Sequence, residues 1–232
     1  MKQPAQWPLE EQDFFDELDK EKSVFLSKAR RRTLQKNAMV FFEDDPSKSC
    51  FYLEKGVIKI FKITSTGKEP IYFIRRHGDM FGLAEVIEAK PRNSNAQALA
   101  ECVIWEIDKK NFETMLEQHI RFARRVISVL GRRIRYLGNQ IENLMVCDVI
   151  TRMAKLIASL AYDRIVREED WNKPITLEVR LTQEQMASMT GSCQQTVSEV
   201  LKGFQNEGLL EVKRSQITVL NPLLLLRKAE FH

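Results

Sequence analysis

Gln194, Gln195, Ser198 and Glu199 lie close together in the stretch LTQEQMASMTGSCQQTVSEVLKGFQNEGLLEV, residues 181–212. At this spacing two amides, a hydroxyl and a carboxylate reach the outer side of one helix, where they offer hydrogen-bond recognition rather than covalent chemistry. A glutamine carries a donor and an acceptor and can make a bidentate pair with adenine. A glutamate only accepts, from cytosine or from a neighbouring side chain. Neither replaces the arginine that a DNA reader commonly shows. No nucleophile–base–orienter set, P-loop or histidine cluster accompanies these residues, so an enzyme fits badly and no metal site is expected.

The surrounding residues make that helix the second of a pair. Thr182 is placed to cap the first helix, with Gln185 in the capping-box position. Met186, Ala187 and Met189 supply its apolar contacts, and Gly191 provides a positive-φ turn. On the second helix, Val197, Val200, Leu201 and Phe204 are expected to face the core. Two short helices joined by a tight turn can enter a DNA groove, although a plain helical hairpin gives the same pattern. The following LLEVKRSQITVL reads as a β-hairpin whose tip puts Lys213 and Arg214 where a wing touches phosphate. Thr182, Thr196, Ser198, Lys202, Lys213 and Arg214 form the phosphate-positioning set, which bears on affinity rather than on sequence choice.

Further upstream, the chain alternates between β and helical signals. Residues 1 to about 35 read as a tail with one amphipathic helix, closing on the basic run Arg30-Arg31-Arg32. AMVFF, CFYLEKGVIKIFKI, PIYFIRR and QALAECVIWEI read as short strands separated by turn clusters, a β-sandwich or barrel. From about 110 to 145 the period becomes helical. Ile120, Ile127, Ile134 and Ile141 recur every seven residues, and Ala123, Leu130, Leu137 and Leu144 form a second series three positions on. Isoleucine at a and mostly leucine at d favours a parallel two-stranded coiled coil, so a homodimer is expected; the alternative is a helix burying the stripe on its own β domain. Gly131 and Gly138 share the e position, either admitting close approach of the β domain or a partner or thinning the helix beside a ligand pocket. Asp148 is placed as an N-cap for VITRMAKLIASLAYDRI, EEDWNKP is a polar loop and ITLEVRL a strand. The order helix, strand, helix-turn-helix, hairpin is that of a winged helix-turn-helix.

Composition agrees with a globular chain: 44% of residues are hydrophobic, 29% charged, and the net charge is +4. That balance is compatible with nucleic acid without marking it. No apolar run approaches the ~20 residues of a membrane span, and the start lacks the pattern of a signal peptide. Scattered cysteines without a paired spacing fit a cytoplasmic protein with reduced thiols.

The β-roll pattern with GDMFG, the long heptad helix and the C-terminal helix-turn-helix resemble the Crp–Fnr superfamily of bacterial transcription regulators, over about residues 15 to 225. The resemblance implies an α+β architecture. A double-stranded β-helix or jelly-roll sensor would occupy 1–109, a dimerisation helix 110–147 and a winged helix-turn-helix 148–232. It further implies a homodimer that reads a palindromic operator in double-stranded DNA, with half-sites about 34 Å apart. RNA polymerase and a small-molecule effector are the other implied partners, and no membrane is. The rival reading is a sensor whose winged domain binds a protein.

The departures from the family carry most of the information. Members that bind cyclic AMP have Gly-Glu after the GD turn and an Arg-Ser pair some ten residues on. Here Gly82 is followed by Leu83, and Arg92 by Asn93 and then Ser94. A Thr-Ser pair of the dimer helix is replaced by Leu137-Gly138. The usual mode of cyclic-AMP binding is therefore not expected. Gly82, Leu83, Arg92, Asn93, Ser94, Arg133 and Leu137 are the residues of the effector pocket that the resemblance implies. Arg92 by itself reads as a surface turn residue or as the anchor for another anion. An iron–sulfur centre is not expected, because no cysteine precedes Cys50. Haem stays an alternative, with His77 and His119 as candidate ligands, although the former reads as a turn residue and the latter as the exposed start of the dimer helix. Cys193, where the family often has a phosphate-contacting serine, and Cys147 at the hinge read as ordinary small residues or as redox groups. The family's recognition helix offers a glutamate and, four residues on, an arginine. Gln195 and Glu199 stand there, so the family's usual half-site is not expected.

Overall fold

The computed structural model describes residues 13–162, 171–214 and 216–230. The tail up to residue 12, the start of the EEDWNKP loop, Ser215 at the hairpin tip and the last two residues lie outside the described residues. Two compact units divide within one long helix, the first spanning Glu11–Gly131 and the second built on Arg132–His232.

In the first unit, helix α1 (Asp19–Lys28) leads into strands β1 (Arg30–Leu34), β2 (Met39–Phe41), β3 (Ser49–Lys55), β4 (Ile58–Phe61), β5 (Ile71–Arg75) and β6 (Met80–Phe81). A short helix α2 (Leu83–Glu88) follows, then β7 (Asn95–Ala98), β8 (Cys102–Asp108) and helix α3 (Lys109–Gln118). Eight strands make two four-stranded sheets, ordered β1-β8-β3-β6 and β2-β7-β4-β5, with antiparallel ladders throughout. The expected β-roll is therefore present. Its logic is the two-residue period of a strand. Along β3, Phe51 and Leu53 point between the sheets to join Phe41, Ile58, Phe81 and Ile104, whereas Cys50 and Tyr52 point outward. The outward set packs under Phe14, Phe15 and Phe25 and under Phe122, Val126 and Val129 of helix α4 (Ile120–Val146).

Several sequence expectations are corrected here. The basic run Arg30-Arg31-Arg32 is not the end of a tail but the first strand of the roll, paired to Glu106, Trp105 and Ile104 of β8. Its charges are accommodated because Arg31 and Arg32 meet Glu54 and Glu106 at 3.5 and 2.8 Å. CFYLEKGVIKIFKI is two strands, broken at Gly56, whose φ of 100° an L side chain rarely adopts. Leu83–Glu88 forms a helix where no helix was expected. The long helical stretch breaks at His119, a half-buried residue that caps α3 before α4 starts.

The second unit contains the rest of α4, then α5 (Val149–Tyr162), β9 (Ile175–Thr176), α6 (Gln183–Thr190), α7 (Gln194–Asn206), β10 (Leu210–Lys213), β11 (Gln216–Val219) and α8 (Pro222–Glu230). Asp148 caps α5 as expected, its Oδ1 accepting from the Thr151 N–H at 2.7 Å. The three strands form one sheet, β10-β11-β9, and α5 packs on α6, α7 and α8. The strand expected over ITLEVRL shortens to two residues. Ile175, Leu177, Val179 and Leu181 are all buried in alternation, but the ladder with β11 pairs Ile175 and Thr176 and ends at Leu177, whose N–H donates to the Ile217 carbonyl at 2.9 Å.

Candidate nucleic-acid interface and effector cleft

The turn between α6 and α7 is held by local chemistry that the sequence dictates. Thr182 Oγ1 accepts from the Gln185 N–H at 3.1 Å, and Gln185 Oε1 accepts from the Thr182 N–H at 2.9 Å, completing a capping box. Gly191 ends α6 at φ 59°, and a Cβ there would come within 2.9 Å of Leu144 Cδ2. Arg152 ties the same turn to the end of α4. Its Nε donates to the Thr190 carbonyl and its Nη1 to the Cys147 carbonyl, both at 2.7 Å. No spacing in the sequence signals this clamp, because it depends on how α5 crosses the two helix ends.

Helix α7 buries Val197, Leu201 and Phe204 and leaves Gln194, Gln195, Glu199 and Lys202 exposed, with Thr196 and Ser198 half-buried. Gln195 Nε2 donates to Glu199 Oε1 at 3.3 Å. Cys193 is the N-cap, with its Sγ 3.1 Å from Thr196 Oγ1. Hydrogen bonds from the Thr196 hydroxyl and from helix N–H groups hold this exposed thiol below the ordinary cysteine range. The hairpin β10–β11 puts Lys213 and Arg214 at its exposed tip, where Arg214 takes a left-handed φ of 48° and Lys213 meets Glu211 at 2.6 Å. Every base-reading and phosphate candidate from the sequence thus lies in this one unit, on α7, at the cap of α6 or on the hairpin tip.

The effector candidates separate. Arg92 is not a surface turn residue: it is 2% exposed. The backbone on either side is pinned by the Asp44 and Asp45 segment, which bonds both the carbonyl and the N–H of Arg92 at 2.9 Å. The guanidinium then threads between the sheets, 4.3 Å from the Phe41 ring centroid and 5.8 Å from that of Phe51. Its Nη1 donates to the Gly82 carbonyl at 2.9 Å, its Nη2 donates to the Ser49 carbonyl, and Glu85 lies 3.6 Å away. Burial pulls this guanidinium below its usual range while Glu85 pulls it back. Its Nε is buried with no hydrogen-bond partner among the described residues. Arg92 borders a cleft of about 240 Å³ with Phe41, Asp45, Lys48, Ser49, Phe51 and Glu106. Gly82 is close because a Cβ there would meet Arg92 Nη1 at 2.9 Å. Leu83 instead belongs to the outer core with Phe14 and Tyr52, Asn93 is exposed and Ser94 half-buried. On α4, Arg133 is buried and Leu137 is 38% exposed.

Sequence reasoning missed two further buried cations of the roll. Lys59 Nζ lies 3.8 Å from the Phe61 ring centroid and pairs with Glu69. Arg75 stacks its guanidinium 4.2 Å from the Phe73 centroid. Strand alternation in VIKIFKI could have placed Lys59 opposite Ile58 and Ile60, but nothing local foretells its burial. His77 is a turn residue as expected, its side chain 68% exposed and its Nδ1 2.6 Å from the Glu54 carbonyl.

An eight-stranded roll joined by a long helix to a winged helix-turn-helix defines the effector-controlled DNA-binding regulators. Residues 31–119 match the cyclic nucleotide-binding domain and 151–228 the Crp-like helix-turn-helix domain, together well over half of the chain. The chain belongs to the Crp–Fnr superfamily of transcription regulators. It is 27% identical over 190 residues to the CRP-like cAMP-activated global transcriptional regulator of Mycobacterium tuberculosis, covering 82% of this chain and 84% of that protein. Among solved structures, FixK2 from Bradyrhizobium japonicum superposes with a TM-score of 0.76 at 18% identity, over 88% of this chain and 98% of that one. A CooA mutant from Carboxydothermus hydrogenoformans gives 0.71 at 24% identity, over 88% of each chain. No described helix is long and apolar enough to cross a membrane.

Proposed function

We propose that this regulator works as a homodimer, α4 against α4, and presents two copies of α7 to a palindromic operator in double-stranded DNA. The observation that carries the reading is the heptad stripe. α4 has two apolar faces, and Phe122, Val126 and Val129 of one are buried in the roll. The other keeps Ile127, Ile134 and Ile141 at 69%, 71% and 59% exposure. A chain that leaves four isoleucines of a heptad series in water has a large apolar area to bury on a second copy. Beyond its own helix backbone, none of the described residues lies within 4 Å of a would-be Cβ at Gly138, which leaves room for a partner helix. RNA polymerase is the further partner of this reading.

The effector is an anion that enters the cleft bordered by Arg92, a buried guanidinium whose Nε has no partner among the described residues. Cyclic AMP, named for the relatives, is not carried over: Leu83 sits in the outer core where the family's acid is needed, and Leu137-Gly138 replace the family's Thr-Ser pair. A thermal-shift screen of anions, nucleotides including cyclic AMP, and haem tests this half. A bound ligand at 100 times its Kd adds about 2.7 kcal/mol, which a melting curve resolves.

A second reading, with the winged domain binding a protein, draws on the exposed Glu199 and on Lys213, whose charge is already met by Glu211. Random-library DNA selection at fixed salt decides between them. A regulator yields a symmetric consensus and an affinity that falls steeply with salt. A flat selection with flat salt dependence sinks the DNA reading.

A further inference from the structure

The hydrogen bond between Gln195 and Glu199 limits what Gln195 can offer a base. A carboxylate only accepts, so the amide must turn its Nε2 toward Glu199 Oε1, at 3.3 Å. That contact consumes one of the two N–H donors of the amide. Gln195 is left with one donor and one acceptor, on an exposed side chain in the first turn of α7. In the major groove, adenine presents an acceptor at N7 beside a donor at N6. Guanine presents two acceptors, cytosine a donor, and thymine an acceptor with a methyl group. One donor beside one acceptor complements adenine. Against guanine, the amide oxygen would face O6 or N7, acceptor against acceptor.

We infer that Glu199 is a positioning residue that commits Gln195 to adenine, so that each half-site carries an A·T pair where residue 195 meets it. The inference rests on α7 being the groove-facing helix. Glu199 acts through Gln195 and contacts no base itself. A carboxylate here also repels phosphate, so the device trades affinity on all DNA for selectivity at one base pair.

The test is random-library selection, at one salt concentration, on the full-length wild type and on three variants. Gln195→Ala identifies the base pair that residue 195 meets, because preference is lost there alone. The wild type should prefer A·T at that pair by roughly ten- to a hundred-fold over G·C. Glu199→Ala frees the second donor and should collapse that preference several-fold while raising affinity for all sequences. Glu199→Gln keeps an acceptor oxygen for Gln195 but not the charge. It should retain the A·T preference and still raise overall affinity, a rescue that mere loss of charge cannot give. A consensus with G·C at that pair, or an A·T preference that survives Glu199→Ala, overturns this inference and leaves the DNA reading intact. A selection with no consensus at all overturns both.

Discussion

At the N-cap of α7, Cys193 Sγ lies 3.1 Å from the Thr196 hydroxyl, and hydrogen bonding by that hydroxyl and by helix N–H groups shifts its thiol down from the ordinary range. A lowered value leaves more thiolate at neutral pH, so modification should be fast there. The other three cysteines are buried, and burial pushes the Cys50 thiol strongly the other way. Native protein treated with a chromogenic disulfide should therefore show one fast thiol that Cys193→Ser removes. The pH midpoint of its modification rate should lie below that of a free cysteine, and Thr196→Val should move it upward. Arg92 behaves differently, as a buried cation that satisfies the backbone carbonyls of Gly82 and Ser49. Arg92→Met keeps the stem over Phe41 but strands both carbonyls and Glu85. The cost should be about 2–4 kcal/mol, read from denaturant unfolding of the variant against wild type. Nothing around Arg92 in the sequence reveals this, because Phe41, Phe51 and Ser49 come from strands remote in the chain and only the closed roll brings them together.

Elements stabilised by their own neighbours were the ones legible in advance. The capping box at Thr182, the Asp148 cap, the glycine turn at 191 and the hairpin at 210–219 each depend on residues a few positions apart. Expectations failed where a distant partner decides. ITLEVRL alternates and buries every second residue, yet a strand also needs a ladder, and the one with β11 ends at Leu177. Helix α2 is six residues long, too short to show a period, and is set by Gly82 at φ 69° and by Leu83 and Val86 entering the outer core. At this scale Gly191→Ala carries the sharpest prediction. Alanine would occupy a left-handed φ and crowd Leu144, so both ends of the α4-to-turn contact suffer. A destabilisation of about 1–2 kcal/mol is expected in thermal unfolding of the second unit, with weaker DNA binding at assay temperature. Thr182→Ala should cost about 0.5–2 kcal/mol by loss of the cap alone.

Across the whole molecule, α4 serves two masters through two faces of one helix. Its 3.6-residue period lets Phe122, Val126 and Val129 close the roll while Ile120, Ile127, Ile134 and Ile141 form a separate stripe. Leu130 lies between these roles, half-buried and packed against the outer core, so a charge there would damage the roll as well as a dimer. Ile134 is 71% exposed within its own chain and isolates the association. Ile134→Asp should leave the chain folded but sediment as a monomer. The wild-type melting temperature should rise with protein concentration and the variant's should not, since mass action links association to stability. On the proposed dimer, losing the second half-site contact would convert a bivalent binder to a monovalent one, and operator affinity should fall by on the order of 10²–10⁴-fold. Because α7 itself is untouched, the variant should keep the same base preference within a single half-site. An Ile134→Asp protein that stays dimeric assigns the stripe to some other contact, and the palindrome would then need a different source of symmetry.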